Sequence, residues 1–142
     1  MTQMDTKKIN GVLQAGLKGK DLQIDHPITE KVIGYAYTVS NVLWSGFLEK
    51  VSENALAHQL RKNELKVEQQ FPVKVRYDGL IVGDYVADLL VDECILVELK
   101  AVHILDAVHQ AQCLNYLKAT GLRLCLLTNF GAPRGQIKRI AL

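Results

Sequence analysis

The sequence predicts an α/β domain in which helices pack around a mixed β-sheet. Two segments repeat apolar residues at helical spacing, and the repeat then changes to the alternation that is typical of strands. A third helical segment follows, and more strand-like sequence comes after it. The predicted element order is therefore α-α-β-β-β-α-β-β.

The first two helices are recognised by their apolar periodicity. One is predicted over Pro27–Leu43, where Pro27 suits the first helical turn. The next is expected from about Phe47 to Lys62, with Glu49 near its N-terminus, where the helix dipole favours acids. A third helix is expected to begin after Asp106 as N-cap and to end at Gly121. Its predicted apolar face consists of Val108, Ala111, Leu114 and Leu117.

Alternating and continuous apolar runs predict five strands. They cover residues 67–77, 85–91, 95–100, 122–128 and 137–142. Pro72 places the first strand at a sheet edge, because proline cannot donate a ladder hydrogen bond. Asp78-Gly79 is typical of a tight hairpin turn. The runs 89–91 and 95–97 favour a central strand pair that is covered on both faces.

Composition limits the classes of protein that the chain can belong to. Its 142 residues, 49% of them hydrophobic, suffice for one core. No apolar run approaches the roughly 20 residues of a membrane helix, and residues 1–8 lack the apolar core of a secretion signal. Three cysteines without CxxC spacing are expected to be reduced and buried: Cys94, Cys113 and Cys125. We therefore expect a cytoplasmic protein with no membrane partner.

The first 26 residues differ from the rest, with three glycines, four lysines and one short apolar stretch. We interpret residues 1–26 as an N-terminal extension and residues 27–142 as the folded domain.

Charge is unevenly distributed, although the net charge is only +2. Residues 78–98 contain six acids and no base, whereas one acid and six Lys or Arg residues follow Glu98. This pattern suits a metal site flanked by phosphate contacts and fits ordinary solvated faces equally well. The small total argues against a strongly basic nucleic-acid-binding protein.

Two acids, Asp88 and Glu98, lie inside apolar strands, where an unpaired carboxylate is costly to bury. They oppose each other if the intervening turn contains the three residues Asp92–Cys94, whereas a two-residue turn would separate them, so we predict an odd turn or a bulge. Lys100 lies two residues after Glu98, on the same side of its strand. The sequence therefore predicts a carboxylate pair beside an ammonium group.

This trio favours a divalent-cation site, because carboxylate oxygens bind Mg²⁺ and Mn²⁺ well. Such a cation acidifies water and stabilises charge on a phosphate, and Lys100 can assist at the same place. Glu49 is expected to complete the set of ligands from the second helix. The spacing alone fits a structural salt bridge better, and the placement on paired apolar strands favours the metal site.

A polar stripe on the third helix contains His109, Gln112 and Tyr116, at positions i, i+3 and i+7. It faces either the metal site and a nucleic-acid backbone, or solvent with a partly buried tyrosine. The basic residues expected to contact phosphates are Lys118, Arg134, Lys138 and Arg139.

The chain resembles the GxxExxY proteins of the PD-(D/E)XK nuclease superfamily over about residues 28–142. The resemblance rests on six blocks in order: GFLE at 46–49, ALAH at 55–58, VADLLV at 86–91, VELKA at 97–101, QCLNYLK at 112–118 and LTNFG at 127–131. The chain departs from the family pattern at Ser52, where the tyrosine of the name falls, and at Trp44, where glycine is usual.

The resemblance implies a restriction-endonuclease-like αβββαβ core. It implies that Asp88 and Glu98 bind Mg²⁺ or Mn²⁺, with the Leu99 carbonyl and Glu49 as further ligands, and that Lys100 is the catalytic lysine. Gln112 and Tyr116 match a QxxxY motif that superfamily nucleases use near the active site and DNA. The implied activity is metal-dependent hydrolysis of phosphodiester bonds, which we expect to be those of DNA.

Two alternatives stay open. One is a nuclease-like module that binds nucleic acid or a protein without cleaving it, which Ser52, Trp44 and the small net charge favour and the intact acid-acid-lysine trio opposes. The other is a dimeric resolvase of branched DNA, which fits the single-domain size. The sequence of one chain does not show whether a homodimer forms.

Overall fold

A computed structural model describes residues 27–43, 45–133 and 135–142 of the chain. Within them, three helices and five strands follow the predicted order: α1 Pro27–Leu43, α2 Glu49–Lys62, β1 Val67–Tyr77, β2 Leu80–Val91, β3 Ile95–Lys100, α3 Ala107–Thr120, β4 Leu124–Asn129 and β5 Gln136–Ala141. Of these helices, none is long and apolar enough to cross a membrane. The predicted extension, residues 1–26, lies outside the described residues, so that boundary stays a prediction.

The five strands form one mixed sheet in the order β1-β2-β3-β4-β5. All neighbours are antiparallel except β3 and β4, which are parallel and are joined through α3. Parallel neighbours need such a crossover, because a tight turn cannot connect them. The predicted α/β class and mixed sheet are confirmed, and β1 is an edge strand, as Pro72 predicts.

Helices cover both faces of this sheet. Two hydrophobic clusters separate the faces: α1 and α2 pack on Leu89, Val91, Ile95 and Val97, whereas α3 packs on Leu90, Leu96, Cys125 and Leu127. Fully burying one such side chain stabilises the fold by about 1.5–3 kcal/mol. The runs predicted to be covered on both faces are thus confirmed as the centre of the core. All three cysteines are buried as thiols, as expected.

The buried face of α3 differs from the predicted one. Leu117 is buried, but Val108 and Ala111 are exposed, and Tyr116 and Thr120 are buried instead. These two hydroxyl groups are tolerated inside because both are hydrogen-bonded; Thr120, for example, donates to the Tyr116 carbonyl at 2.8 Å. Hydropathy alone therefore selected the wrong side. The predicted ends are confirmed, with Asp106 as N-cap and Gly121 at a φ of 75°.

The first hairpin is longer than the sequence predicts. Asp78 and Gly79 form a tight turn with φ values of 52° and 78°, so pairing begins directly at Tyr77 and Leu80. The β2 strand therefore starts five residues earlier than predicted. Its first part is exposed and extends beyond the core. α2 begins at Glu49, whereas the sequence predicts a start near Phe47.

Candidate active site

The β2–β3 pair is regular only near its turn. The paired residues are Val91 with Ile95, Leu90 with Leu96 and Leu89 with Val97. The turn contains Asp92, Glu93 and Cys94, as the sequence predicts, with positive φ values at Asp92 and Glu93. This register makes Asp88 and Glu98 the next opposed residues.

At Asp88 and Glu98 the acidic side chains replace the backbone ladder. The Asp88 N–H donates to Glu98 Oε1 at 2.9 Å, and the Leu99 N–H donates to Asp88 Oδ2 at 2.8 Å. Each carboxylate thus binds the main chain of the opposite strand. Both acids lie in the opening where β2 and β3 separate, so the structure brings them together.

The neighbouring strand is distorted at the same level. Gln70 lies opposite Asp88 in the register of β1 and β2, and its φ is 56°. This value is uncommon for a residue other than glycine, and strained backbone concentrates at functional sites. Val67 packs on the α1–α2 side of the sheet and Val73 on the α3 side, so the strand changes faces across Gln70.

Burial dominates the electrostatics of the acid pair. Glu98 is only 3% exposed. Burial, together with the nearby charge of Asp88, raises the pKa of Glu98 to about 8. Burial also raises the pKa of Asp88, although the hydrogen bond from the Leu99 N–H opposes this shift. The ionised pair is therefore unfavourable by itself, and a bound cation would relieve its repulsion.

Lys100 lies beside the pair and is partly exposed. Its positive charge acts to lower the pKa of both Asp88 and Glu98. Within the described part of the chain, no ion pair of 4.0 Å or less joins Lys100 to either acid. The structural salt bridge considered from the sequence is thus not formed there, and the ammonium can reach a ligand.

Glu49 approaches the site from α2. Its Oε1 accepts a hydrogen bond at 3.1 Å from the N–H of Ala101, the residue that follows Lys100. The negative charge of Glu49 acts to raise the pKa of both Asp88 and Glu98. The predicted third acid therefore lies close enough to shift the pKa values of Asp88 and Glu98. Its hydrogen bond to Ala101 also joins the first turn of α2 to the end of β3.

Glu53 is a further acid near the site, for which no role is predicted from the sequence. It is buried, and its carboxylate accepts hydrogen bonds from Lys50, Gln69 and Gln70 at 2.9, 2.7 and 2.7 Å. Its charge raises the pKa of Asp88 more strongly than that of Glu49 does. The spacing of four residues from Glu49 was a visible signal, because such residues share a helix face.

The donor set suits a divalent cation held by two carboxylates. The described hydrogen bonds occupy Oδ2 of Asp88 and Oε1 of Glu98, which leaves one oxygen of each acid for a cation. Mg²⁺ is typically held by one or two carboxylates and several waters. Among the described residues, no three Asp, Glu, His or Cys side chains converge into a complete ligand set. Glu49 and the Leu99 carbonyl therefore stay predicted ligands.

The structure separates the polar stripe of α3. Gln112 donates from Nε2 to the Tyr116 hydroxyl at 3.0 Å, and that hydroxyl donates to the Val86 carbonyl at 3.5 Å. Burial, and next the charge of Glu98, raises the pKa of Tyr116 to about 12. His109 is engaged elsewhere: its Nδ1 accepts from the Asp106 N–H and completes the N-cap of α3.

Asn129 holds the segment that follows Lys100. This buried amide accepts from the Val102 N–H at 3.0 Å and donates to the Val102 carbonyl at 2.8 Å. At Gly131 an added Cβ would lie 2.4 Å from both of those backbone atoms. Asn129 and Gly131 belong to the LTNFG block, which is part of the family resemblance. Their structural role, contact with the backbone of Val102, is visible only in the structure.

The predicted phosphate-binding residues lie in different places. Lys138 pairs with Leu127, which pairs with Glu98, so this lysine lies on the Glu98 row about 10 Å away, two strand spacings. Arg139 is on the α1 side, where it forms an ion pair with Glu30 at 2.8 Å. Lys118 is exposed on α3. Arg134 lies outside the described residues.

Comparison with known proteins agrees with this geometry. A family model for the PD-(D/E)XK nuclease superfamily matches residues 26–140, a range that includes both helical layers, the acids and the lysine. No curated protein and no solved structure matches the chain. The narrower GxxExxY assignment stays a prediction. The chain belongs to the PD-(D/E)XK nuclease superfamily.

Proposed function

We propose that the protein is a divalent-metal-dependent nuclease that hydrolyses phosphodiester bonds of DNA. Membership of the superfamily supports the class, because its members are generally metal-dependent nucleases. The observation that carries the proposal is the opening between β2 and β3. There, the buried Glu98 and the partly buried Asp88 bind each other's strands, beside a lysine that forms no ion pair with either acid within the described part of the chain.

Asp88 and Glu98 would hold Mg²⁺ or Mn²⁺, and we assign Glu49 and the Leu99 carbonyl as further ligands. When bound, the cation would supply an acidified water and stabilise negative charge on the phosphate. Lys100 would donate hydrogen bonds to that water or to a phosphate oxygen, which adds electrostatic stabilisation where charge develops. Gln112 and Tyr116 would support this site from α3.

The raised pKa of Glu98 has a consequence for cation binding. With a pKa of about 8, this acid is largely protonated at pH 7 when no cation is present. A cation must displace that proton, so its affinity should increase as the pH rises towards 8. The absence of such pH dependence would argue against Glu98 as a ligand.

Basic side chains are proposed to hold the DNA backbone. Lys138 shares the Glu98 row, and Lys118 lies on the helix that covers the same face. Arg134 and Arg139 are also proposed to contact the DNA backbone. The Arg139–Glu30 pair is exposed, and such pairs contribute only about 0–1 kcal/mol, so a phosphate can replace Glu30 at little cost.

The decisive experiment measures cleavage of plasmid, linear and branched DNA with Mg²⁺, with Mn²⁺ and with a chelator. Asp88→Asn, Glu98→Gln and Lys100→Ala should each reduce the cleavage rate by about a hundredfold or more. Lys62→Ala, at the exposed end of α2, is a matched control that should keep full activity. Undiminished cleavage by Asp88→Asn or Lys100→Ala would contradict the assigned roles.

A non-catalytic nucleic-acid or protein-binding module is the second candidate. It is favoured by the lack of a third converging ligand among the described side chains. Calorimetric titration with Mg²⁺ and Mn²⁺ separates the two functions: the nuclease should bind a cation that Glu98→Gln binds more weakly. If no cation binds to the wild-type protein, the module is the better description.

A dimeric resolvase of branched DNA is a special case of the nuclease. It requires two active sites in one particle, which light scattering would detect as a mass twice the 15.9 kDa of one chain. A monomer that cleaves branched DNA would exclude this variant. We propose a cytoplasmic location for either form.

A further inference from the structure

A groove of about 620 Å³ lies between the β1–β2 hairpin and α3. Its hairpin wall includes Val75, Gly83 and Tyr85, and its helix wall includes Gln112 and Tyr116. This volume is within the range of about 300–1,000 Å³ that is usual for small-ligand sites. The groove is therefore large enough for a flat aromatic group that enters from the surface.

Tyr85 offers an aromatic surface in this groove. Its ring centroid is 6.1 Å from that of Tyr116, at an interplanar angle of 44°. Tyr116 is only 5% exposed, whereas Tyr85 is 52% exposed. One tyrosine thus anchors the other, and the open part of the Tyr85 ring is available to a ligand. Aromatic rings displayed in this way stack on unpaired bases in proteins that bind single strands.

Gly83 explains how the Tyr85 ring is positioned. A Cβ at residue 83 would lie 2.9 Å from Tyr85 Cε2 and 3.2 Å from Val75 Cβ. The ring therefore occupies the space that a side chain at residue 83 would need. Glycine weakens a strand interior, and it is typical where another group approaches the backbone closely.

The helix wall of the groove can recognise the edge of a base. Gln112 and Asn115 both line it, and each amide carries a donor and an acceptor. A nucleobase edge presents the same two kinds of group. Lys118 lines the groove as well and gives it a positive charge, which favours an anionic nucleotide.

Tyr116 links the groove to the strand segment that leads to the acidic site. This tyrosine lines the groove, and its hydroxyl contacts the Val86 carbonyl, two residues before Asp88. A nucleotide whose base enters the groove would therefore have its phosphate on the side of Asp88 and Glu98. Paired bases in a duplex are stacked on their neighbours and cannot enter such a groove.

We infer that this groove binds an unpaired nucleobase of a DNA strand, stacked on Tyr85, next to the phosphate that is cleaved. The preferred substrate class is then DNA with a single-stranded segment or flap at the cleavage position. This inference rests on the proposed nuclease function. Gly83 is a positioning residue, since it acts only through the Tyr85 ring.

Binding without cleavage tests the groove separately from the chemistry. The probe is a single-stranded DNA oligonucleotide that contains 2-aminopurine, mixed with the full chain in a chelator. Stacking should change the probe fluorescence with the wild-type protein and with Tyr85→Phe. Tyr85→Ala should remove this change and weaken binding by about 5- to 150-fold, the range expected for one stacked base.

Two further variants sharpen the test. Tyr77→Ala removes another exposed tyrosine of the same hairpin, 55% exposed and not part of the groove lining, and should leave binding unchanged. Gly83→Ala should weaken stacking, because the added Cβ displaces the ring. An oligonucleotide with one abasic site probes the same contact with the wild-type protein alone, which keeps the test valid if Tyr85→Ala does not fold.

The outcomes distinguish this inference from the proposed function. Equal binding by the wild-type protein and Tyr85→Ala, with no effect of the abasic site, would overturn the groove assignment even if metal-dependent cleavage is observed. Stacking that depends on Tyr85 without any cleavage would support the groove and contradict the nuclease. Tighter binding of a fully paired duplex, or of RNA of the same sequence, would also overturn the inference.

Discussion

The two halves of β3 are adjacent in sequence and have different neighbours. Residues 95–97 pair with β2 on one side and β4 on the other, and are fully buried. Residues 98–100 keep β4 as partner but pair no longer with β2. The comparison shows how a central strand can open into a site: one neighbour stays paired while acidic side chains bind the backbone of the other.

The two halves also contribute differently to stability. The apolar half lies between two helical layers and stabilises the fold by burial. The acidic half places Glu98 in a buried position where its charge is unfavourable. Substitutions in the first half should therefore lower stability, and substitutions in the second should lower activity.

The largest effect on stability is expected in the apolar half. Leu96→Ala should lower the free energy of unfolding by about 2–5 kcal/mol, because a buried cavity replaces the side chain. Urea unfolding measures this loss, and the folded protein should still cleave DNA. Leu80→Ala, at the exposed end of β2, is the control and should change little. A similar loss in both variants would contradict the comparison.

In the acidic half, the raised pKa of Glu98 should make the free energy of unfolding depend on pH when no divalent cation is present. The folded pKa of Glu98, about 8, lies above its ordinary value of 4.5, so unfolding releases a proton between these values. Stability should then decrease as the pH rises from 4.5 to 8, relative to Glu98→Gln, by up to about 1.4 kcal/mol per pH unit. Above pH 8 the difference should be constant. Parallel curves for the two proteins would contradict the raised pKa.

A smaller loss of stability is expected when the hydrogen bonds between Asn129 and Val102, which hold the segment after Lys100, are removed. Asn129→Ala leaves both backbone groups of Val102 without their partner, which should cost about 1–3 kcal/mol in total, because Val102 is only partly buried. Cleavage should decrease as well, because the end of β3 is less firmly placed. Asn129→Asp keeps the acceptor but loses the donor and brings a buried carboxylate oxygen against the Val102 carbonyl, so it should be at least as harmful in thermal melting and cleavage. Unchanged melting and cleavage in both variants would argue against a structural role for these hydrogen bonds.

The smallest effects are expected at the basic surface on β5. Lys138→Ala should weaken DNA binding and reduce the salt dependence of the affinity by about one phosphate contact, with stability unchanged. Arg139→Ala should change stability by less than about 1 kcal/mol, because its ion pair with Glu30 is exposed. Fluorescence anisotropy over a range of salt concentrations compares the two. A steeper loss in Arg139→Ala than in Lys138→Ala would place the DNA on the α1 side of the sheet.

Much of the fold was predictable because it depends on local signals. Periodicity located every described helix and strand, Pro72 identified the edge strand, and Asp106 and Gly121 marked the ends of α3. The face of α3 was not predictable from hydropathy, because Tyr116 and Thr120 become suitable for the core only once their hydroxyl groups find acceptors. The apolar spacing along α3 does not indicate where these acceptors lie.

At the site, too, some features are predictable from the local sequence and others depend on contacts between distant residues. The opposition of Asp88 and Glu98 requires an odd turn, which is predicted because two buried carboxylates need to share one site, and the structure has a three-residue turn there. The burial of Glu53 and the contact of Asn129 with Val102 were not predictable, since each depends on residues far apart in the chain. The strained Gln70 likewise has no signal in its own neighbourhood.

The sequence by itself determined the order of the elements, the need for an odd turn between β2 and β3, and the acid-acid-lysine trio. These depend on residues close in the chain, whose spacing sets which side chains share a face or a rung. Only the tertiary structure decided that the ladder opens at Asp88, that Lys100 stays free of both acids within the described chain, and that Tyr85 borders a groove. Those features depend on packing between distant segments, where burial and hydrogen-bond partners, and not local preference, determine each side chain's position.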